Sequence, residues 1–181
     1  MSVTAPTRWR RRHRSCSTTI TASATDSDGT ISKVDFYVDG VLLGTDSVGP
    51  TYGFAWNNAA AGGYTLTAKA TDNNGAVTTS AAVVVTVNAA PTVSITAPSN
   101  NASFTAGLDV PITATAADSD GAVVKVEFYA DGALIGTDLT APYAFTWLAV
   151  PAGTYALTAK ATDDNGGTTT SAIVNINVSP P

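Results

Sequence analysis

The chain states nearly the same sequence twice. ATDSDGTISKVDFYVDGVLLGTD, from Ala24, returns as AADSDGAVVKVEFYADGALIGTD, from Ala116; YTLTAKATDNNGAVTTSA, from Tyr64, returns as YALTAKATDDNGGTTTSA, from Tyr155. The offset is 92 residues up to Pro50/Pro142 and 91 beyond it, so Thr51 or its neighbour is a one-residue loop insertion in the first copy. A period of this length is too long for a solenoid repeat that leans on its neighbours, and matches a small domain that buries its own core. The spacing predicts a first domain over residues 1–88, a linker at 89–91 and a second domain over 92–179.

Within that frame, composition excludes several classes. At 44% hydrophobic and 13% charged residues the chain is globular rather than disordered. Its longest apolar run, residues 81–85, is about a quarter of what a bilayer demands. A single cysteine rules out a disulfide framework within the chain. Of nine cationic residues, four are lysines at repeat-equivalent places (Lys33/Lys125 and Lys69/Lys160), and the other five are arginines between Arg8 and Arg14. Outside that cluster the chain is strongly acidic, which argues against nucleic-acid or anionic-membrane partners for the folded modules, as the short apolar run does against membrane insertion.

Period-two alternation dominates the rest. In residues 124–130, Val124, Val126, Phe128 and Ala130 share one face, while Lys125, Glu127 and Tyr129 share the other. Asp131-Gly132 and Asp39-Gly40 predict type I′ hairpins, because both central residues must accept positive φ. Further strands are expected at 93–97, 110–118, 133–138, 143–147, 154–163 and 168–178. No segment keeps a helical period over ten residues. About seven strands per copy, with turn signals every 8–12 residues, predict an all-β fold of two tandem seven-stranded sandwiches. Tyr64 and Tyr155 stand two residues before an inward Leu66 or Leu157, as tyrosine corners do in an immunoglobulin-like sandwich.

Taken together, D-S-D-G, K-V-[DE]-F-Y, D-G-x-L-[LI]-G-T-D, F-x-W, Y-x-L-T-A-K-A-T-D-[ND]-N-G and T-T-S-A resemble the bacterial immunoglobulin-like domains that recur in tandem in secreted multidomain proteins. The resemblance covers about residues 2–87 and 92–178. It implies an Ig/fibronectin-III-like fold, an extracellular or cell-surface location, and neighbouring domains in a longer chain. Such domains accompany glycoside hydrolases, adhesins and other surface proteins, and the family names no ligand.

One stretch breaks the repeat. Residues 2–7 (SVTAPT) match residues 94–99 (SITAPS), but Arg8-Trp9-Arg10-Arg11-Arg12-His13-Arg14-Ser15-Cys16-Ser17 replaces NNASFTAGLD at residues 100–109. Length is kept and chemistry is lost. Two readings stand, a native membrane-active or nucleic-acid-binding Trp-Arg arm and, preferred, a displaced reading frame: reading one nucleotide later turns the TGG of Trp9 into a glycine codon and leaves Val, Ala, Asp or Gly before it. In either case Arg12 takes the slot of Phe104 and Cys16 that of Leu108, so the first copy is expected to melt before the second. The arginines are followed by no hydrophobic stretch and are not read as a secretion signal. Met1 falls inside a module, which predicts a fragment of a longer protein.

Two constellations could carry a ligand. Asp26-Ser27-Asp28-Gly29 and Asp118-Ser119-Asp120-Gly121 join the second and third strands of each copy, and Asp72-Asn73-Asn74-Gly75 and Asp163-Asp164-Asn165-Gly166 join the last two. In this topology both loops emerge at one end of a sandwich. Asp26, Asp28 and Asp72 in one copy, and Asp118, Asp120, Asp163 and Asp164 in the other, could then offer oxygen ligands to Ca²⁺, with Asn88 near the linker. The competing reading is turn chemistry alone, in which Asp and Asn cap turns and Gly supplies positive φ. Tyr37 and Tyr129 face outward and could stack on a sugar; Trp56 and Trp147 alternate with Phe54 and Phe145 and are read as core.

Catalysis lacks its parts: no Ser/His/Asp set beyond His13, no His or Cys at metal-ligand spacing, no phosphate-cradling glycine loop before a helix. The expected function is therefore a non-catalytic spacer or stalk, a rod-like pair stiffened at Pro91, whose partners are the adjacent domains of a longer chain. The alternatives are an adhesin or carbohydrate-binding unit, with a polysaccharide or another surface protein as partner, and a surface structure self-assembled through exposed edge strands.

Overall fold

A computed structural model describes residues 17–181; the anomalous stretch, apart from Ser17, lies outside the described residues, and so do its readings. The described chain is all-β, without helix, and divides into two compact units between Asn88 and Ala89.

In the first unit β1 (Ser17–Ser23) pairs antiparallel with β4 (Thr51–Asn57) to form one sheet. The other runs β3 (Val41–Asp46), β2 (Ile31–Val38), β5 (Gly62–Asp72), β6 (Val77–Thr79), with β7 (Val83–Val87) also on β5. The second unit has a three-stranded sheet, β13 (Tyr143–Trp147), β10 (Val110–Ala117), β8 (Thr92–Ala97). Its larger sheet runs β12 (Ala133–Asp138), β11 (Val123–Ala130), β14 (Gly153–Asp163), β16 (Val174–Ser179), β9 (Ala102–Thr105), with β15 (Thr168–Thr170) also on β14. The counterparts of β8 and β9 in the first unit fall on residues 1–16, outside the described residues.

Alternation places the core. Val34, Phe36 and Val38 of β2, and Val126, Phe128 and Ala130 of β11, are buried between the sheets. Leu66, Ala68 and Ala70 stand beside them in register on the adjoining strand β5, as Leu157, Ala159 and Ala161 do on β14. Each unit owns a separate cluster of such residues. The small alanines of β5 and β14 leave room for the large Phe36 and Phe128. Each such phenylalanine stabilises its unit by about 1.5–3 kcal/mol through burial.

The hairpins form as the dipeptides predict: φ is 48° and 79° at Asp39 and Gly40, and 49° and 81° at Asp131 and Gly132. The tyrosine corners are present in both units, with Tyr64 Oη donating to the Ala60 carbonyl and Tyr155 Oη to that of Pro151, each at 3.0 Å. Trp56 and Trp147 pack edge-on against these tyrosines at 4.9 Å, inside their units.

The strand count departs from seven. The second unit has nine, because one expected strand is broken and another is added. Residues 168–178 were expected to run through, yet the Ser171 hydroxyl takes the place of a backbone acceptor. Ser171 N donates to the Ala159 carbonyl at 2.8 Å, while Ala159 N donates to Ser171 Oγ at 3.0 Å. The main chain leaves the ladder there and rejoins it at β16. The added strand, β9, pairs parallel with β16 and sets Phe104 against the core.

Candidate functional site

In each unit the two acidic loops meet. Asn73 N donates to the Thr30 carbonyl at 2.9 Å, and Thr30 N donates back to Asn73 Oδ1 at 3.0 Å. The second unit repeats this, with Asp164 N donating to the Ala122 carbonyl at 2.9 Å and Ala122 N to Asp164 Oδ1 at 3.3 Å. Tight turns deliver these groups: Gly75 and Gly166 take φ of 87° and 85°, which only glycine adopts without strain.

The acidic residues then divide by role. Asp72 Oδ1 accepts from Asn74 N and Ala76 N, both at 2.8 Å, and Asp163 Oδ1 accepts from Asn165 N at 3.0 Å and Gly167 N at 2.6 Å. These two close their own turns, and Asp163 is almost wholly buried in doing so. Asp120 accepts from Ala89 N through both oxygens, at 3.2 and 2.9 Å. Asp28 is exposed, and Asn88 is half-buried directly after β7.

Asp118 and Asp26 stand apart. Both carboxylate oxygens of Asp118, and Oδ2 of Asp26, are shut off from solvent with no hydrogen-bond partner. Burial, helped by the charges of Asp120 and Asp163, pushes the Asp118 carboxyl above the usual carboxylate range against the opposing pull of the nearby Asp120 and Ser119 N–H groups. A hydrogen bond shared with Asp28, followed by burial, raises Asp26 in the same sense. Asp118 Oδ2 and Asp164 Oδ1 both crowd Gly121, where an added Cβ would meet the former at 2.8 Å. Around Gly29 the pair is Asp26 Oδ2 and Asn73 Oδ1, in the same arrangement. Asn73 was missed in the sequence because it is neutral, although it aligns with Asp164 in the repeat. Among the described residues no three acidic, His or Cys side chains converge as a ready metal cage.

The outer face of the larger sheet carries the remaining candidates. Tyr37 and Tyr129 are half-buried there. The Lys69 ammonium sits 4.8 Å from the centre of the Tyr37 ring, while burial raises the Tyr129 hydroxyl above its ordinary range. Lys33 pairs with Asp35 at 2.7 Å and Lys125 with Glu127 at 2.9 Å. Asp35 is buried within its pair; that burial favours the neutral acid, but Lys33 and the Thr45 hydroxyl outweigh it and hold the carboxyl below the usual range. Among the described residues no helix is long and apolar enough to cross a membrane.

Residues 1–68 and 91–159 each match the bacterial Ig domain family. Over 164 residues the chain is 37% identical to the chitinase ChiA of Flavobacterium johnsoniae, a match covering 82% of this chain and 10% of that protein. It therefore spans about a tenth of the length of this curated relative. Among solved structures it is similar to the fibronectin(III)-like modules of Clostridium thermocellum CbhA, at 36% identity and a TM-score of 0.50, with 91% of this chain and 86% of that one covered.

Proposed function

The chain belongs to the bacterial Ig domain family, twice over, and on that footing we propose that it is a non-catalytic spacer between other domains of a longer secreted or surface-bound protein. Modules of this fold are typically non-catalytic and sit in multidomain chains. The observation that carries the reading is that the two units repeat the same internal bonds. Asp39 and Asp131 each tie a hairpin to the neighbouring strand, at 2.8 Å to Thr65 N and Ala156 N. Asp46 and Asp138 each fasten a loop, to Gly53 N at 2.7 Å and Ala144 N at 2.9 Å. The tyrosine corners and the serine-broken ladders repeat as well. Duplication has kept what makes a module fold.

Kinship with part of a chitinase supports a place in a polysaccharide-acting protein and names the first ligand to try. A second reading, carbohydrate binding, rests on Tyr37 and Tyr129 recurring on one outer face. In the first unit Lys69 already occupies a face of the tyrosine ring, which weighs against sugar stacking there. The test is replacement: in the full-length protein, an unrelated pair of Ig-like modules of equal length is put in place of this one. The spacer reading expects binding and turnover on insoluble substrate to be unchanged. A defect that only the native pair repairs contradicts it.

A further inference from the structure

We propose that the joined acidic loops of the second unit form a binding site for a hard divalent cation of the calcium class, built on Asp118 and Asp164. This goes beyond the spacer reading and does not depend on it.

Asp118 follows directly on β10 and holds both carboxylate oxygens out of reach of water with no hydrogen bond of normal geometry on either, the Ser119 and Asp120 N–H groups only lying near. Other loop aspartates show that the fold can satisfy such a carboxylate when that is its role: Asp72, Asp138 and Asp163 each accept backbone N–H groups. Among the described residues the ion pairs use Lys33, Lys125 and Lys160, all on the outer sheet face, and none reaches these loops. The negative charge of Asp118 therefore lacks a counter-ion from the described protein, while Asp120, Asp163 and Asp164 add to it. A buried carboxylate is held ionised by a partner of opposite charge, and a bound metal ion is one such partner.

Asp118 Oδ2 and Asp164 Oδ1 both crowd the position that a Cβ on Gly121 would take, so that glycine is what lets the two carboxylates converge there. The first unit repeats the arrangement with an orphaned Asp26 oxygen and Asn73 Oδ1 over Gly29. Two modules thus leave the same oxygen unpaired at the same loop junction. An all-oxygen set suits Ca²⁺, which accepts six to eight oxygen ligands in flexible geometry, with backbone carbonyls and water completing the shell. Only two side-chain carboxylates face each other here, which sets the expected dissociation constant on the order of 0.1–1 mM, the range of extracellular modules. The first unit, with a neutral amide for Asp164, binds more weakly.

The experiment is thermal unfolding and calorimetric titration of the whole chain with CaCl₂, against chelator and against MgCl₂ and NaCl at matched ionic strength. At 10 mM Ca²⁺ the unfolding midpoint of the second unit is expected to rise by at least about 5 °C over chelator. Asp118→Asn is expected to fold, because it removes an uncompensated charge, and to lose the response. Asp164→Asn copies the first unit's residue, so its folding is secure, and it is expected to weaken binding at least tenfold. A midpoint indifferent to Ca²⁺ beyond the NaCl control overturns the proposal. So does an undiminished response in both variants.

Discussion

Gly44 and Gly136 show how narrowly single positions are fitted. A Cβ at either would fall onto the ring of Phe54 or Phe145, which stacks in turn on the core Phe36 or Phe128 at 6.4 or 6.1 Å. Gly44→Ala or Gly136→Ala is therefore expected to destabilise its unit by about 1–3 kcal/mol, as overpacking does, read by denaturant unfolding. Asp138 gives a prediction in pH. Backbone donation from Ala144, then from Thr140, holds its carboxyl below the usual range. A depressed folded-state pKa adds stability above the unfolded value near 4, and that stability is lost as pH falls through the folded value. Between pH 7 and pH 3 the unmodified chain should therefore lose more stability than Asp138→Asn. Equal losses would contradict this role.

At the scale of elements, β2 and β11 were legible from sequence because three cues agree in them: alternation, a closing Asp-Gly and large inward residues. β9 was not. Four residues with one large apolar side chain give too little periodicity, and its place depends on a parallel partner more than 70 residues away. The break before β16 was hidden for another reason: Ser171 reads as an ordinary strand residue until its hydroxyl is seen accepting from Ala159 N. Ser171→Ala leaves that buried amide without its acceptor and is expected to cost about 1–3 kcal/mol, with faster hydrogen exchange at the Ala159 amide as the check. The candidate cation residues were legible by type and spacing. Their division was not, because Asp163 and Asp118 look alike in sequence and differ only in which backbone N–H groups reach them.

For the whole molecule, the repeat acts as an internal control. The two units share core, hairpins, tyrosine corners and loop junctions, and the sequence departs in kind only over residues 8–17. Phe104, half-buried on β9, has Arg12 as its counterpart. Forgoing such a side chain costs on the order of 1.5–3 kcal/mol when it is fully buried. Calorimetry of the chain is thus expected to show two transitions, the first belonging to residues 1–88; equal midpoints for the separated units would refute this. A pair that spaces other domains neither binds nor cleaves what they act on. The most direct test is a depletion assay with insoluble chitin and a panel of other polysaccharides, with soluble products assayed in the same tubes. The chain is expected to stay in the supernatant like an inert protein control and to release no product; saturable retention on any one polysaccharide would contradict a spacer role.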